Sequence, residues 1–260
     1  MMQNEPFPAI AKAKQGTIVI LRLVLDPEKP PISEIASKLE SLGSRIVGGI
    51  HGEVDDSHLW TLLLEVPPNV DGDAVVEEMA SIDGVRSVEK HGVKVGDFWL
   101  NDALSGVGLL GARAGVLPIA TARALFGAVK RYWGPAGEAF LYHMGVAAGK
   151  ESYQELQSKV QMSELDLLTS FLGLIKASGW INWFEVVEFN QSEGRALIRV
   201  KGSFECAESR GAEGKRSNIL RGLLAGFVGA MWGIPTVGEE LKCEAIGDPY
   251  DEILIRAMKL

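Results

Sequence analysis

The run Thr17–Leu25, TIVILRLVL, is stopped by DPEKPP, and this junction constrains the fold more than any other feature of the chain. A β-branched apolar run reads as a strand, and the prolines that follow continue neither a ladder nor a helix interior. The next segment, ISEIASKLESLG, places Ile32, Ile35, Leu39 and Leu42 on one helical stripe, with Gly43 positioned to stop it. SRIVGGIHGEV and HLWTLLLEV then read as two strands around a DDS turn. DGDAVVEEMASIDG predicts a second amphipathic helix through Val75, Val76, Met79 and Ile82, and VRSVEKHGVKV predicts a closing strand. The order is strand–helix–strand–strand–helix–strand, which sets two helices on one face of a four-stranded antiparallel sheet.

That βαββαβ order is ferredoxin-like. Over residues 17–95 it resembles the ACT family of small regulatory domains. ACT domains that bind amino acids usually carry an Asp-x-x-Gly-like turn after the first strand, where glycine lets backbone amides approach the ligand. Here the turn reads LDPEKPPIS: Asp26 is present, but prolines stand in the glycine's place and remove amide donors. The resemblance therefore implies a dimerising or scaffold domain more readily than an amino-acid receptor. Residues 1–16 form an N-terminal extension. Residues 96–116, GDFWLNDALSGVGLLGARAGV, read as a glycine-rich connector, a packed linker followed by a broken helix.

The second half, residues 117–260, alternates differently. PIATARALFGAVKRYWG is helical, with Pro118 tolerated in the first turn. AGEAFLYHMGVAAGKESYQEL reads as helix, small-residue contact, helix. SELDLLTSFLGLIKASGW carries Leu165, Leu168, Phe171, Leu172 and Ile175 on one face, with Ser163 as its cap. Two strands follow, WINWFEVVEF and RALIRVKGSFECAES, then the small-residue helix SNILRGLLAGFVGAMWG and a closing hairpin. YHMGVAAG, ASGW, GSFECAES, RGLLAGFVG and ELKCEAIGD together resemble the four-vinyl reductase domain family, whose α/β fold is related to subunits of the TRAPP tethering complex. The whole chain is thus expected to be an α/β (α+β) protein of two domains.

The hairpin EELKCEAIGDPYDEILI holds the candidate metal ligands. Zinc-binding members of the resembling family place a cysteine before the glycine-rich helix, then Glu-x-x-Cys, then a second cysteine eight residues on. Mapped here, those positions are Ser217, the pair Glu240 and Cys243, and Asp251. Serine is a poor zinc ligand, so Glu240, Cys243 and Asp251 would hold zinc weakly unless water or Cys206 joined them. The alternative is a hairpin turned by Gly247, Asp248 and Pro249, with Cys243 as a small buried hydrophobe. The reading taken from the residues is a degenerate zinc hairpin: no cofactor is expected, and zinc is the one the set would accept.

For a small ligand, the resemblance points to an apolar cavity beside the second-half strands. Trp180, Trp183, Phe184 and Phe204 are the candidate lining residues and His143 the candidate polar contact. His51, His58 and His91 fall at strand ends or turns, with no metal-ligand spacing. GVGLLG at 106–111 has the form of a dinucleotide loop, but no strand feeds it within a βαβ unit. No nucleophile elbow is present, and no spacing pairs Cys206 or Cys243 with a histidine. A formal charge of −8 disfavours a direct nucleic-acid partner, and two cysteines are too few for a disulfide framework. The expectation is a cytoplasmic regulatory sensor for an apolar or aromatic molecule, homodimeric through ARALFGAVKRYW and signalling through a separate regulatory protein. The alternatives are a ligand-free scaffold related to tethering subunits, or an accessory in tetrapyrrole or aromatic metabolism. An enzyme is the weaker expectation, because no catalytic residue presents itself.

Overall fold

The computed structural model describes residues 7–54, 56–104, 106–109, 112–206 and 217–258. The chain is a mixed α/β protein that divides into two compact units, residues 1–115 and 116–260. Parts of three motifs read from the sequence lie outside the described residues: Asp55 of the DDS turn, Leu110 and Gly111 of the GVGLLG loop, and Ala207–Ser209 of GSFECAES.

The first unit begins with a short strand β1 (Ile10–Ala11) and the long strand β2 (Thr17–Leu25). Helix α1 (Ile32–Ser41), strands β3 (Arg45–Val54) and β4 (Ser57–Val66), helix α2 (Gly72–Ala80) and strand β5 (Val85–His91) follow. The sheet order is β3-β4-β2-β5, antiparallel throughout. Strand alternation decides the two faces. Val19, Leu21, Leu23 and Leu25 pack with Ile35, Leu39, Val75 and Met79 of the helices. Ile18, Ile20 and Leu63 point the other way and are covered by Ala11, Ala13 and Trp99. Asp71 caps α2 by accepting from Asp73 N.

The closing strand is divided where the sequence suggested one run. Gly92, at φ 110°, separates β5 from β6 (Val93–Val95), and its amide donates to Asp102 Oδ1 at 2.7 Å. The connector also folds as strand where a broken helix was expected. β7 (Phe98–Leu100) pairs with β6 and β1, and β8 (Val107–Leu109) pairs with β9 (Ala112–Ala114). Cross-strand pairing outweighs the weak helical spacing of so glycine-rich a segment.

The second unit opens with helix α3 (Ile119–Lys159), broken at Gly134 (φ 52°, ψ −134°) beside Pro135. Helix α4 (Glu164–Ala177) is capped by Ser163 Oγ, which accepts from Asp166 N. It buries Leu167, Leu168, Phe171, Leu172 and Ile175, while Leu165 stays exposed. Strands β10 (Trp183–Asn190) and β11 (Arg195–Lys201) precede helix α5 (Ile219–Trp232), and β12 (Thr236–Lys242) and β13 (Asp251–Ala257) close the chain. The antiparallel sheet order is β10-β11-β13-β12. Its core joins Phe171, stacked on Phe227 at 4.0 Å, to Ile198, Ile253 and Ile255.

The glycines of YHMGVAAG and RGLLAGFVG do not interrupt their helices; they let α3 and α5 touch backbone to backbone. A Cβ on Gly149 would lie 2.1 Å from Leu223 O, and one on Gly226 would lie 2.1 Å from Val146 O. This contact sets the height at which α5 begins over the sheet, and that N-terminus borders the candidate site. Among the described residues, no helix is long and apolar enough to cross a membrane.

Candidate metal centre

On β13 the side chains of Asp251, Ile253 and Ile255 share one face by strand alternation, and the two isoleucines lie in the core. β12 pairs Glu240 directly with Ile253, so Glu240 is directed to the same side. A bulge between Glu240 and Lys242 then bends β12 toward Cys243. The connection is longer than a tight hairpin. It holds a short 3₁₀ turn at Glu244–Ile246, and Gly247 (φ 103°) lies in the left-handed region. Cys243 N donates to Asp248 Oδ2 at 2.8 Å, and Asp248 N returns a bond to Cys243 O at 3.2 Å. Asp251 Oδ1 accepts from Glu244 N at 2.7 Å. The Gly-Asp-Pro stretch thus builds the loop that aims Cys243 inward.

The fourth member comes from across the sheet. Ser203–Cys206 forms a turn in which Cys206 N donates to Ser203 O, and it carries Cys206 into contact with the hairpin. Cys206 Sγ lies 3.5 Å from Cys243 Sγ and 3.9 Å from Glu240 Oε1. One ligand atom each from Cys206, Glu240, Cys243 and Asp251 falls within 4.8 Å of the others, and all four residues are buried. Ser217, the position the family pattern assigned to a cysteine, supplies its backbone N–H to Glu240 Oε2 at 3.3 Å, and its Oγ is buried without a hydrogen-bond partner.

Two anionic side chains and two thiols in one buried cluster repel each other when ionised. Burial pushes the Asp251 carboxyl up to about 7, with the charges of Glu240 and Glu244 adding to the shift. The Cys206 thiol is also raised, first by its bond with Cys243 and then by burial and the carboxylate charges. Asp251 Oδ2 is buried without a hydrogen-bond partner. A tetrahedral zinc ion with 2.0–2.3 Å bonds needs ligand atoms roughly 3.3–3.8 Å apart. The sulfur separation of 3.5 Å falls in that range, the 3.9 Å from Cys206 Sγ to Glu240 Oε1 lies just above it, and the donor set of two thiolates and two carboxylates suits zinc. The residues fit the ion.

Beside this cluster lies an aromatic one. Phe204 meets Trp180 edge-on at 5.0 Å and Phe126 of α3 at 5.7 Å, with Ala122, Leu141 and Ile219 around them. Two polar ties hold the front of α3 to the same turn: Arg123 Nε donates to Phe204 O at 3.1 Å, and Lys130 Nζ meets Glu205 at 3.3 Å. Glu205 in turn accepts from Asn218 N and Leu220 N at the start of α5. Of the ligand-site residues read from the sequence, Trp180 and Phe204 come together, and Phe184 packs on the larger core. Trp183 is 39% exposed beneath Lys201 Nζ, and His143 is exposed on α3. Nothing in its helix spacing distinguishes Phe126 from ordinary core. In the first unit, Asp26 Oδ1 accepts from Glu28 N at 2.9 Å within its own turn.

No protein-family model matches the chain, and neither does any curated protein. Among solved structures, it is similar to the phenol-responsive sensory domain of the transcription activator PoxR, determined with phenol. That match is 19% identical, covers 64% of this chain and 84% of that one, and has a TM-score of 0.51. Weaker matches include the ACT domain of a GTP pyrophosphokinase from Chlorobium tepidum (17% identical, 28% and 96% covered, TM-score 0.25). Another is a trafficking protein particle complex subunit 3 from Naegleria fowleri, covalently bound to palmitic acid (18% identical, 53% and 90% covered, TM-score 0.39). The first of these likenesses shows a shared α/β fold.

Proposed function

We propose that the chain is a regulatory protein whose second unit binds a small apolar or aromatic molecule, with zinc held by Cys206, Glu240, Cys243 and Asp251. The observation that carries this reading is that Cys206 and Phe204 belong to one turn. The same four residues, 203–206, give the buried cluster its fourth ligand and the aromatic cluster its centre. A bound zinc ion would supply structural cross-linking: it neutralises the buried carboxylates and ties the turn to the hairpin.

The chain's own residues define a route from ligand to output. A molecule seated against Trp180, Phe204 and Phe126 presses on the front of α3, which is joined to the turn through Arg123 and Lys130. The break at Gly134 lets that front segment shift without unwinding the rest of the helix. Its outer side exposes Leu125, Tyr132 and Trp133, an apolar surface suited to a second copy of the chain. Ligand binding would then select one position of the front segment and so change the dimer or the surface shown to a partner protein.

Native mass spectrometry with elemental analysis of freshly purified protein tests the reading, using phenol as the probe ligand. The expected result is a dimer with one zinc per chain that takes up phenol, and Phe204→Ala weakens that uptake tenfold or more while zinc is retained. A bare dimer with no zinc and no phenol uptake would favour a ligand-free scaffold.

A further inference from the structure

We propose a second metal site, on the β3–β4 hairpin of the first unit: His51 and His58 together bind a divalent transition-metal ion, zinc being the fit, with Glu53 orienting His58. The hairpin register makes the pair. Glu53 stands opposite His58 and His51 opposite Trp60, so the two histidines lie diagonally across neighbouring strands on one face. His58 Nδ1 and His51 Nε2 approach to 3.4 Å, with ring centroids 5.4 Å apart. Two ligands of a tetrahedral ion with 2.0–2.1 Å bonds are separated by about 3.3 Å.

The remaining contacts settle which nitrogen is available. His58 Nε2 lies 3.0 Å from Glu53 Oε1, so the carboxylate takes the Nε2–H bond and leaves the Nδ1 lone pair facing His51. An imidazole that donates its far N–H to a carboxylate while the near nitrogen meets the metal is the usual support of a zinc-bound histidine. The Trp60 ring, 5.6 Å from that of His51, restricts the second imidazole. With no ion present, one N–H proton is shared between the facing nitrogens. The ion takes that place once His51 carries its proton on Nδ1.

Two protein ligands leave two coordination positions open, for water or for a donor from another molecule. β3 is an edge strand and His51 is exposed, so the ion would lie near the margin of the sheet, where another donor can approach. The ion would clip the strands together near their turn, and the clipped form gains stability with metal concentration by mass action. This site does not depend on the thiolate centre of the second unit.

The test is a zinc titration of the full chain followed by ring-nitrogen NMR of its four histidines. The expected result is a shift of His51 Nε2 and His58 Nδ1, with His91 and His143 unmoved. His51→Ala and His58→Ala should each weaken this binding at least tenfold, and Glu53→Gln should weaken it less while leaving both nitrogens metal-bound. His91→Ala, beside Glu89 and Asp102, should leave it unchanged. Zinc at about 1 mM that leaves both rings unshifted, a Kd too weak for a real site, would overturn the proposal. So would a His91→Ala variant that loses the same binding, or alanine variants of the pair that keep it.

Discussion

Glu65 of the first unit and Asp251 of the second are both buried carboxylates on sheet strands, yet they sit in opposite settings. Glu65 accepts from Lys14 N, from Gln15 N at 2.8 Å and from the Arg45 guanidinium, and these bonds hold its carboxyl down at about 2. Asp251 has one backbone donor on Oδ1, no partner on Oδ2 and two further carboxylates nearby, and burial drives it the other way despite the Cys206 thiol beside it. The first arrangement is complete: its donors match its lone pairs and its charge is balanced by Arg45. Among the described residues, the second gathers acceptors and thiols around an Asp251 oxygen that has no hydrogen-bond partner, and a metal ion is what would complete it.

The largest effect should come from supplying or removing that ion. Stripping zinc with a chelator, or replacing a thiol through Cys243→Ser, should lower the stability of the second unit by several kcal/mol. The first unit should unfold as before, because Glu65 and its donors share no ligand with the cluster. Two-wavelength calorimetric and fluorescence melts of loaded and stripped protein check this. A single unchanged transition in both would break the contrast, since it would make Asp251 as self-sufficient as Glu65.

A smaller loss should follow from disturbing the scaffold that places the cluster. Gly149→Ala puts a methyl 2.1 Å from Leu223 O, so α5 must move, at a cost on the order of 1–3 kcal/mol. Because Ser217 N at the head of α5 bonds Glu240, zinc affinity should fall together with stability. Measuring both by denaturant titration and competitive chelation distinguishes a seat built by α5 from one built by the hairpin alone. Affinity that stays constant while stability drops would assign the site to the hairpin.

The sequence revealed the parts whose information is local. Alternation in TIVILRLVL, the stripe Ile35–Leu39 and the Ser163 cap all act within a few residues, and the elements they imply are present. Glu240, Cys243 and Asp251 were visible because one hairpin carries all three. Cys206 was raised only as a conditional partner, since its contact depends on how the 203–206 turn packs across the sheet, and no spacing encodes that. His51 and His58 form no motif in sequence. Their pairing follows once the turn is set between Val54 and Ser57, so strand register was the signal that spacing concealed. Trp183 and His143 looked like pocket residues by position, but the strand edge and the outer face of α3 carry them to solvent.

The mildest substitutions test the comparison by sign rather than size. Glu65→Gln removes a charge that three donors expect, so the first unit should be destabilised at neutral pH. The folded value of about 2 lies below the ordinary 4.5, so the bonded carboxylate stabilises the fold above about pH 4.5. That contribution is lost as pH falls through 2, and the glutamine variant should lack this acid-limb slope. Asp251→Asn in metal-free protein should do the opposite and raise the melting temperature by about 2–4 °C, because it removes a buried negative charge beside Glu240. With zinc present the same variant should lose its advantage, having given up an anionic ligand. Melts of both variants at neutral pH, with and without zinc, show whether the signs diverge; two losses of equal size in metal-free protein would mean that both carboxylates are already satisfied.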